Sequence, residues 1–487
     1  MAENPPIAGY VAGPLDEAVA PDGMVRPDYR EVLAVLQRDG SAGLTAAVER
    51  LDRIRAEQGV TFRIPTGGAG GLVEQVFPMD PVPRLIGAED RARLEVGVTQ
   101  RARALNAFLD DVYRTDDDGS PARAEIVAAG LVPERFVRGA PGFRREATDL
   151  VPGGRPRATV AGFDLLTGED GRWVVLEDNL QVPSGLAYVL ANRAGAAQAL
   201  PDLHAGDLRP EPPDGAVDLL RRALLDAAPP GMAGDRAPKV AVLSDGPDNS
   251  AWYEHRTLAE RMGVPVVALD DLLPDGDGVA VRGPGGISRI DVLYRRFGHD
   301  DLLGPGAARE LVRQACRSGT LALANAPGNG VADDKAIYAF VGPMIRFYLG
   351  EEPALADVGT WVLAEPGQYD AVRGRLGSLV VKPVDGSGGD GVRIGPELTA
   401  AQIEQVESEV AARPERFIAQ EVIRFSTHPT VIDGSLRPRH VDLRLFVLSG
   451  RETRMAPGGL SRVALGDGGL LVNSSQGGGS KDTWFTG

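Results

Sequence analysis

One cysteine in 487 residues, Cys316, excludes disulfides within the chain. Thiol catalysis is a poor reading too, because Glu310-Leu-Val-Arg-Gln-Ala-Cys-Arg is a helical pattern in which Cys316 takes a small core position. Surplus positive charge is also missing. Lys+Arg number 52 against 68 Asp+Glu, a net charge of −16, and lysine is scarce. Without a basic patch interleaved with aromatics, which make up only 5% of the chain, no nucleic acid partner is expected. No run approaches the roughly 18 apolar residues of a membrane span, and no apolar segment follows a basic start. No membrane contact is expected and a cytoplasmic location is. What remains is an ordinary globular balance, 43% apolar and 25% charged, long enough for two or three domains with full cores.

The chain divides on composition and pattern. Residues 1–30, rich in Pro, Gly and Ala without periodicity, read as a loosely ordered arm or surface strap. Residues 31–206 open with two helical patterns, around Val32-Leu33 and Leu44 to Ile54. A hairpin-like alternation over 61–77 follows, then a long amphipathic helix through Leu94, Val98, Leu105 and Val112, whose arginines are expected on its solvated face. Residues 207–238 carry two Pro-rich patches and form the linker candidate. In 239–345 the strand Lys239–Leu243, a helix over 250–262 and the strand Val264–Leu269 predict a right-handed βαβ unit, which 290–294 and 321–324 extend as a parallel sheet. Residues 346–430 hold a glycine-rich segment between strands, a helix opened by the capping box Thr399–Gln402, and an apolar strand. Residues 431–487 end in strands and the glycine-rich tail 473–484, which reads as a flexible linker on composition alone and, after those strands, as a substrate or phosphate loop.

Chemistry concentrates in a few stretches. In Leu379-Val-Val-Lys-Pro-Val-Asp-Gly-Ser-Gly-Gly-Asp-Gly, three apolar residues lead into Lys382. Gly386, Ser387, Gly388 and Gly389 then let backbone amides approach an anion closely, and a phosphate is the obvious one. The spacing is neither a P-loop nor a dinucleotide fingerprint; an anion-covering flap and a plain glycine hairpin with an exposed lysine both fit. Between Ala161 and Gly185, two strands flank a turn. Asp164 lies on the first, while Glu177 and Asn179 share one face of the second and Asp178 points away. Two carboxylates and an amide oxygen are hard ligands of the kind Mg²⁺ takes beside nucleotide phosphates, though solvated acids fit as well. Lys335, next to Asp333 and Asp334 at a helix start, sits against the dipole preference, which points to a specific partner or a local ion pair. Glu254 and His255 follow the loop Ser244–Ser250, placed at a strand's carboxyl end where open α/β sheets bind ligands. His255 reads as a base or as a surface histidine. Gln420 and Glu421 on an apolar strand suit an adenine edge, and Asp442, Arg444 and Phe446 share a face ahead of Arg462.

Two lysines, a glycine-rich flap, a Gln-Glu strand and a Glu-x-Asn strand in one chain resemble the circularly permuted ATP-grasp family, related to glutathionylspermidine synthetase-like amide ligases. The permutation shows in the Glu-Asp-Asn strand preceding Lys382 by about 200 residues. The resemblance covers roughly residues 60 to 485 and implies an α/β fold with a Rossmann-like parallel-sheet pre-ATP-grasp domain at 239–345. It implies that 31–206 carries the permuted metal-binding part, 346–430 the nucleotide subdomain and 431–487 the remaining core strands. It further implies ATP and Mg²⁺ as cofactors, with Asp164, Glu177 and Asn179 on the metal and Lys335 and Lys382 on phosphates. The flap Gly386 to Gly391 would cover the triphosphate, and Gln420 and Glu421 would border adenine. Ser184 looks like a substrate contact, and Arg444 and Arg462 are candidates for gripping a carboxylate or the transferring phosphoryl group, with Lys382. Leu165-Leu166 and Gln181 stand where the family usually has basic residues. The implied reaction is ATP-dependent carboxylate–amine ligation of amino acids or small peptides through an acyl phosphate. A phosphotransferase acting through a hydroxyl, His255 or His440, and a noncatalytic nucleotide-binding protein, are the competing readings. Oligomeric state is left open.

Overall fold

The apolar alternation of residues 440–448 predicts a strand, and in this computed structural model it runs longer, over Ser435–Ser449, as the axis of the largest sheet. The structure describes residues 7, 9–65, 72–116, 118–205, 210–229, 236–283, 285–298, 300–386, 390–466, 472 and 478–486. Across the sheet the order is Ala356–Asp357, Trp173–Asn179, Val160–Thr167, Ser435–Ser449, Leu460–Val463, Gly479–Thr486 and Met79–Gly87. Thr427–Ile432 and Thr453–Met455 add to the long strand's two ends. Met79–Gly87 lies parallel to Gly479–Thr486, so strands almost 400 residues apart in sequence close one edge. The tail from Gly479 on is therefore sheet and not loop. Lys481 is buried in an ion pair with Asp80 and donates to Pro429 O; residues 473–477 of the tail lie outside the described ones.

The predicted long helix forms over Ala88–Val112 and buries Leu94, Val98, Leu105, Phe108 and Leu109 against this sheet. One expectation is corrected here. Arg101 is not solvated but buried, with Nε and Nη2 on Asp178 at 2.5 and 2.8 Å and Nη1 on Asp357 at 2.6 Å. It neutralises the carboxylate that alternation turns away from Glu177 and Asn179. The arm is a strap: Asp16 is buried, accepts from Tyr10 Oη and from the Ala18 and Val19 amides, and bonds Thr427.

Two smaller sheets flank the large one. Thr360–Val362, Phe417–Glu421, Leu379–Pro383 and Arg393–Ile394 form an antiparallel sheet, with the helix Ala400–Ala412 started by the Thr399–Gln402 capping box. Ala322–Ala324, Val292–Arg295, Val240–Leu243 and Val266–Val267 form an all-parallel sheet, with the helix Trp252–Met262 between the last two in sequence. That is the predicted βαβ order. The hairpin Thr61–Pro65/Leu72–Val76 stands apart, joined to the loop before that helix by Arg63 N donating to Ser250 O.

Candidate active site

Strand register builds the centre of the site. Arg444 lies opposite Asp164, Asp164 opposite Glu177, and Asp442 opposite Arg462, so three neighbouring strand pairs stack charged side chains on one face. A bulge just after Asp164 shifts the hairpin register there. Arg444 grips Asp164 with Nε and Nη2 at 2.6 and 2.7 Å, and Arg462 reaches the same carboxylate at 2.9 Å while also pairing with Asp442. Burial alone would raise the Asp164 carboxyl, but the two guanidiniums outweigh it and hold it well below the usual range. Both Asp164 oxygens are thus engaged by arginines.

Across the cavity, alternation in Leu379–Pro383 buries Leu379 and Val381 and leaves Val380 and Lys382 facing inward. Lys335 has the specific partner its position pointed to: its Nζ lies 2.9 Å from Glu177 Oε1 and donates to Gly386 O at 2.5 Å. Lys382 differs, because no acceptor lies on its Nζ among the described residues. Burial, with Lys335 nearby and against the pull of Glu177, lowers it to about 8. Asn179 Nδ2 and Gln420 Oε1 are buried without partners among the described residues. Gln420 Nε2 is fixed on Thr360 Oγ1 at 2.9 Å. Asn179 and Glu177 present an amide oxygen and a carboxylate to the cavity, a donor set that fits a hard cation. Among the described residues no three His, Cys, Asp or Glu side chains form a ready-made metal cluster. Ser387, Gly388 and Gly389 lie outside the described residues.

The remaining expected residues divide. Ser184 lines the cavity, but Glu254 and His255 do not. His255 is buried, not a surface residue; its Nδ1 is 2.8 Å from Ser244 Oγ, and burial beside Arg296 lowers it to about 2, so it is neutral. Glu254 works from behind the wall. Its Oε2 accepts from the Gly185 and Ala187 amides at 2.7 and 3.0 Å, and its Oε1 pairs with Arg296 at 2.6 Å. Arg296 donates in turn to Pro183 O and Ser184 Oγ, both at 2.8 Å. His440 is also outside the lining and turns Nδ1 to Phe425 O.

The cavity holds about 470 Å³. Its lining brings together Asp164, Glu177, Asn179, Ser184, Lys335 and Lys382 with Gln420, Glu421, Arg444 and Arg462, ten residues that the sequence scatters over 299 positions. Asp442 joins them, a residue the shared face with Arg444 already signalled. Phe62, Phe77 and Tyr188 also line it and were not anticipated, because nothing local in sequence marks them. Cys316 is remote from this lining, and burial pushes its thiol up to about 12. Cys316→Ala is expected to keep full activity, and the native thiol to resist iodoacetamide at pH 8, followed by intact-mass spectrometry; rapid native labelling would contradict its burial.

A cavity between an antiparallel sheet bearing a lysine and glycines and a second sheet bearing carboxylate and amide oxygens is the arrangement of an ATP-grasp protein. The chain belongs to the circularly permuted ATP-grasp type 2 family, whose model matches residues 83–464. A Frankia alni protein named "Putative glutamate–cysteine ligase 2-3" is 46% identical over 98% of this chain and 54% of its own length. A Frankia casuarinae protein named "Putative glutamate–cysteine ligase 2-2" is 46% identical over 96% and 53%. The chain spans about half the length of these two relatives. An uncharacterised Synechocystis protein is 42% identical over 88% of this chain and 87% of its own. Among the described residues no helix is long and apolar enough to cross a membrane.

Proposed function

We propose that this chain is an ATP-dependent carboxylate–amine ligase that forms an amide through an acyl phosphate. The observation that carries the reading is the convergence of Lys335, Lys382, Glu177 and Asn179 with Arg444, Arg462 and Ser184 on one cavity. Family membership and the ligase names of two relatives support it.

In this reading Lys335 and Lys382 hold the ATP phosphates, the Gly386–Gly391 flap covers them, and Gln420 and Glu421 border adenine. The parallel-sheet region 239–345 is the Rossmann-like pre-ATP-grasp domain. Glu177 and Asn179 are the residues that would hold Mg²⁺, joined by Asp164 when the arginines turn from it, and the ion would supply charge neutralisation on phosphate oxygens. Arg444 and Arg462, adjacent to Ser184, grip the substrate carboxylate. A carboxylate oxygen attacks the γ-phosphorus, ADP leaves, and an amine then displaces phosphate at the acyl carbon. The lysines and arginines stabilise the charge that develops on the transferring group. No protein nucleophile is needed, in keeping with the neutral, buried His255 and the remote Cys316. The small molecules that react are a carboxylate and an amine, and a cytoplasmic location fits an ATP-consuming enzyme.

Incubation of Mg·ATP with pooled amino acids and small amines is expected to release ADP and give an amide by mass spectrometry, both lost in Glu177→Gln and Lys382→Ala. Turnover that ignores both substitutions would overturn the proposal.

A further inference from the structure

The cavity has two unlike ends. One is built by the antiparallel sheet that carries Val380, Lys382 and Gln420. The other is built by Phe62 on the strand Thr61–Pro65, by Phe77 and by the helix Leu186–Ala199, with the charged strands of the large sheet between them. In a chain only 5% aromatic, four rings meet at this second end. Tyr188 lies 5.1 Å from Phe77, 6.3 Å from Phe62 and 5.3 Å from Tyr253, centroid to centroid, the Phe62 and Phe77 contacts edge-on. Phe62, Phe77 and Tyr188 face the cavity, beside Leu460 and Val182. Tyr188 donates its hydroxyl proton to Thr61 O at 2.8 Å, so its polar tip serves the hairpin.

The charges nearby are already balanced. Arg444 and Arg462 face Asp164 and Asp442, two cations against two anions, and Ser184 Oγ accepts from Arg296. One carboxylate can draw on this cluster by sharing a guanidinium. A second finds no cation on the cavity lining at the aromatic end among the described residues, since Arg55, over the Phe77 ring, is fully buried behind it, and burying that second carboxylate without a partner is costly.

Resting on the ligase reading, we infer that the substrate whose carboxylate meets Arg444 and Arg462 carries an aromatic or bulky apolar group seated against Phe62, Phe77 and Tyr188. It is not a glutamate-like dicarboxylate. Ring edges and faces around an apolar recess accept a further ring in offset or edge-on contact.

The test compares 3-phenylpropionate, L-phenylalanine, L-leucine and L-glutamate as acids with Mg·ATP and pooled amines, in wild type and Phe62→Ala. Phe62 is half-buried on the hairpin, and unchanged Mg·ATP binding checks the variant's fold. Phenyl acids are expected to exceed L-glutamate in kcat/KM by about 100-fold or more, and Phe62→Ala to lower their kcat/KM by roughly 10-fold or more. Saturation-transfer NMR of 3-phenylpropionate with a non-hydrolysable Mg·ATP analogue reads the subsite without turnover. Amide formed preferentially from L-glutamate overturns this inference and leaves the ligase reading standing. A phenyl-acid NMR signal that Phe62→Ala abolishes, with no amide from any acid, keeps the subsite and removes the ligase reading. Absence of that signal in wild type overturns the inference.

Discussion

Lys382→Met is expected to lower kcat/KM for Mg·ATP by about 10²–10³-fold and, in the unliganded protein, to raise the unfolding midpoint. Both effects are expected from one feature: a half-buried lysine whose ammonium has no acceptor among the described residues, lowered to about 8 mainly by desolvation. In the proposed reading its charge awaits a phosphate, and it is a liability until one arrives. In the unfolded chain Lys382 keeps its proton up to its ordinary value near 10.5; in the folded chain it loses it near 8. The folded state therefore binds fewer protons between these values, and stability rises with pH through that window. The cost is full below pH 8, about 1–2 kcal/mol once partial access to the cavity is allowed for, and gone above about 10.5. Methionine fills a similar volume without charge. Its stabilising effect is expected at pH 7 and absent at pH 10.5 in thermal melts, while nucleotide affinity is lost at both. A variant that binds nucleotide normally at pH 7 would show that Lys382 faces no phosphate.

Much of this site was legible because strands alternate with a period of two. Asp164, the Glu177/Asn179 pair with Asp178 opposed, Lys382, and the Asp442/Arg444 face all follow from local order, and the cavity receives them as alternation requires. Lys335 was legible for another reason: a lysine at a helix start contradicts the dipole, and Glu177 and Gly386 O explain it. What local pattern does not carry is register between distant strands. Arg101 belongs by periodicity on a wet helix face, and only the placement of Asp178 and Asp357 77 and 256 positions away makes burial of its charge tolerable. The tail shows the same failure in reverse. Gly, Ser, Lys and Asp at 479–482 compose like a linker, yet Met79–Gly87 beside them and Asp80 opposite Lys481 turn them into buried strand. Neither Glu254 nor His255 could be placed by its neighbours, since the difference between a cavity wall and the layer behind it is set by the Pro183–Ala187 turn.

That turn supports the second large effect. Arg296→Met is expected to destabilise the fold by about 3–5 kcal/mol, because it strands Glu254, 1% exposed, as an unpaired charge and removes donors from Pro183 O and Ser184 Oγ. Glu254→Gln leaves Arg296 unpaired in the same way. The double variant is expected to cost clearly less than the two singles added, since each single pays for the charge left behind and the double leaves none. Arg296→Lys should recover little, because one ammonium cannot reach Pro183 O, Ser184 Oγ, Tyr294 Oη and Glu254 together. Urea titration of the four proteins measures this, and additive costs would show that the pair does not act as a unit. Activity separates positioning from mere stability. Ser184 and Gly185 border the charged strands, where Ser184 O accepts from Arg444, and not the antiparallel sheet, so on the proposed reading folded Arg296→Lys is expected to lose kcat while KM for ATP stays put. A rise in KM for ATP at constant kcat would mean instead that the turn serves the nucleotide, and that Glu254 and Arg296 shape the other end of the cavity.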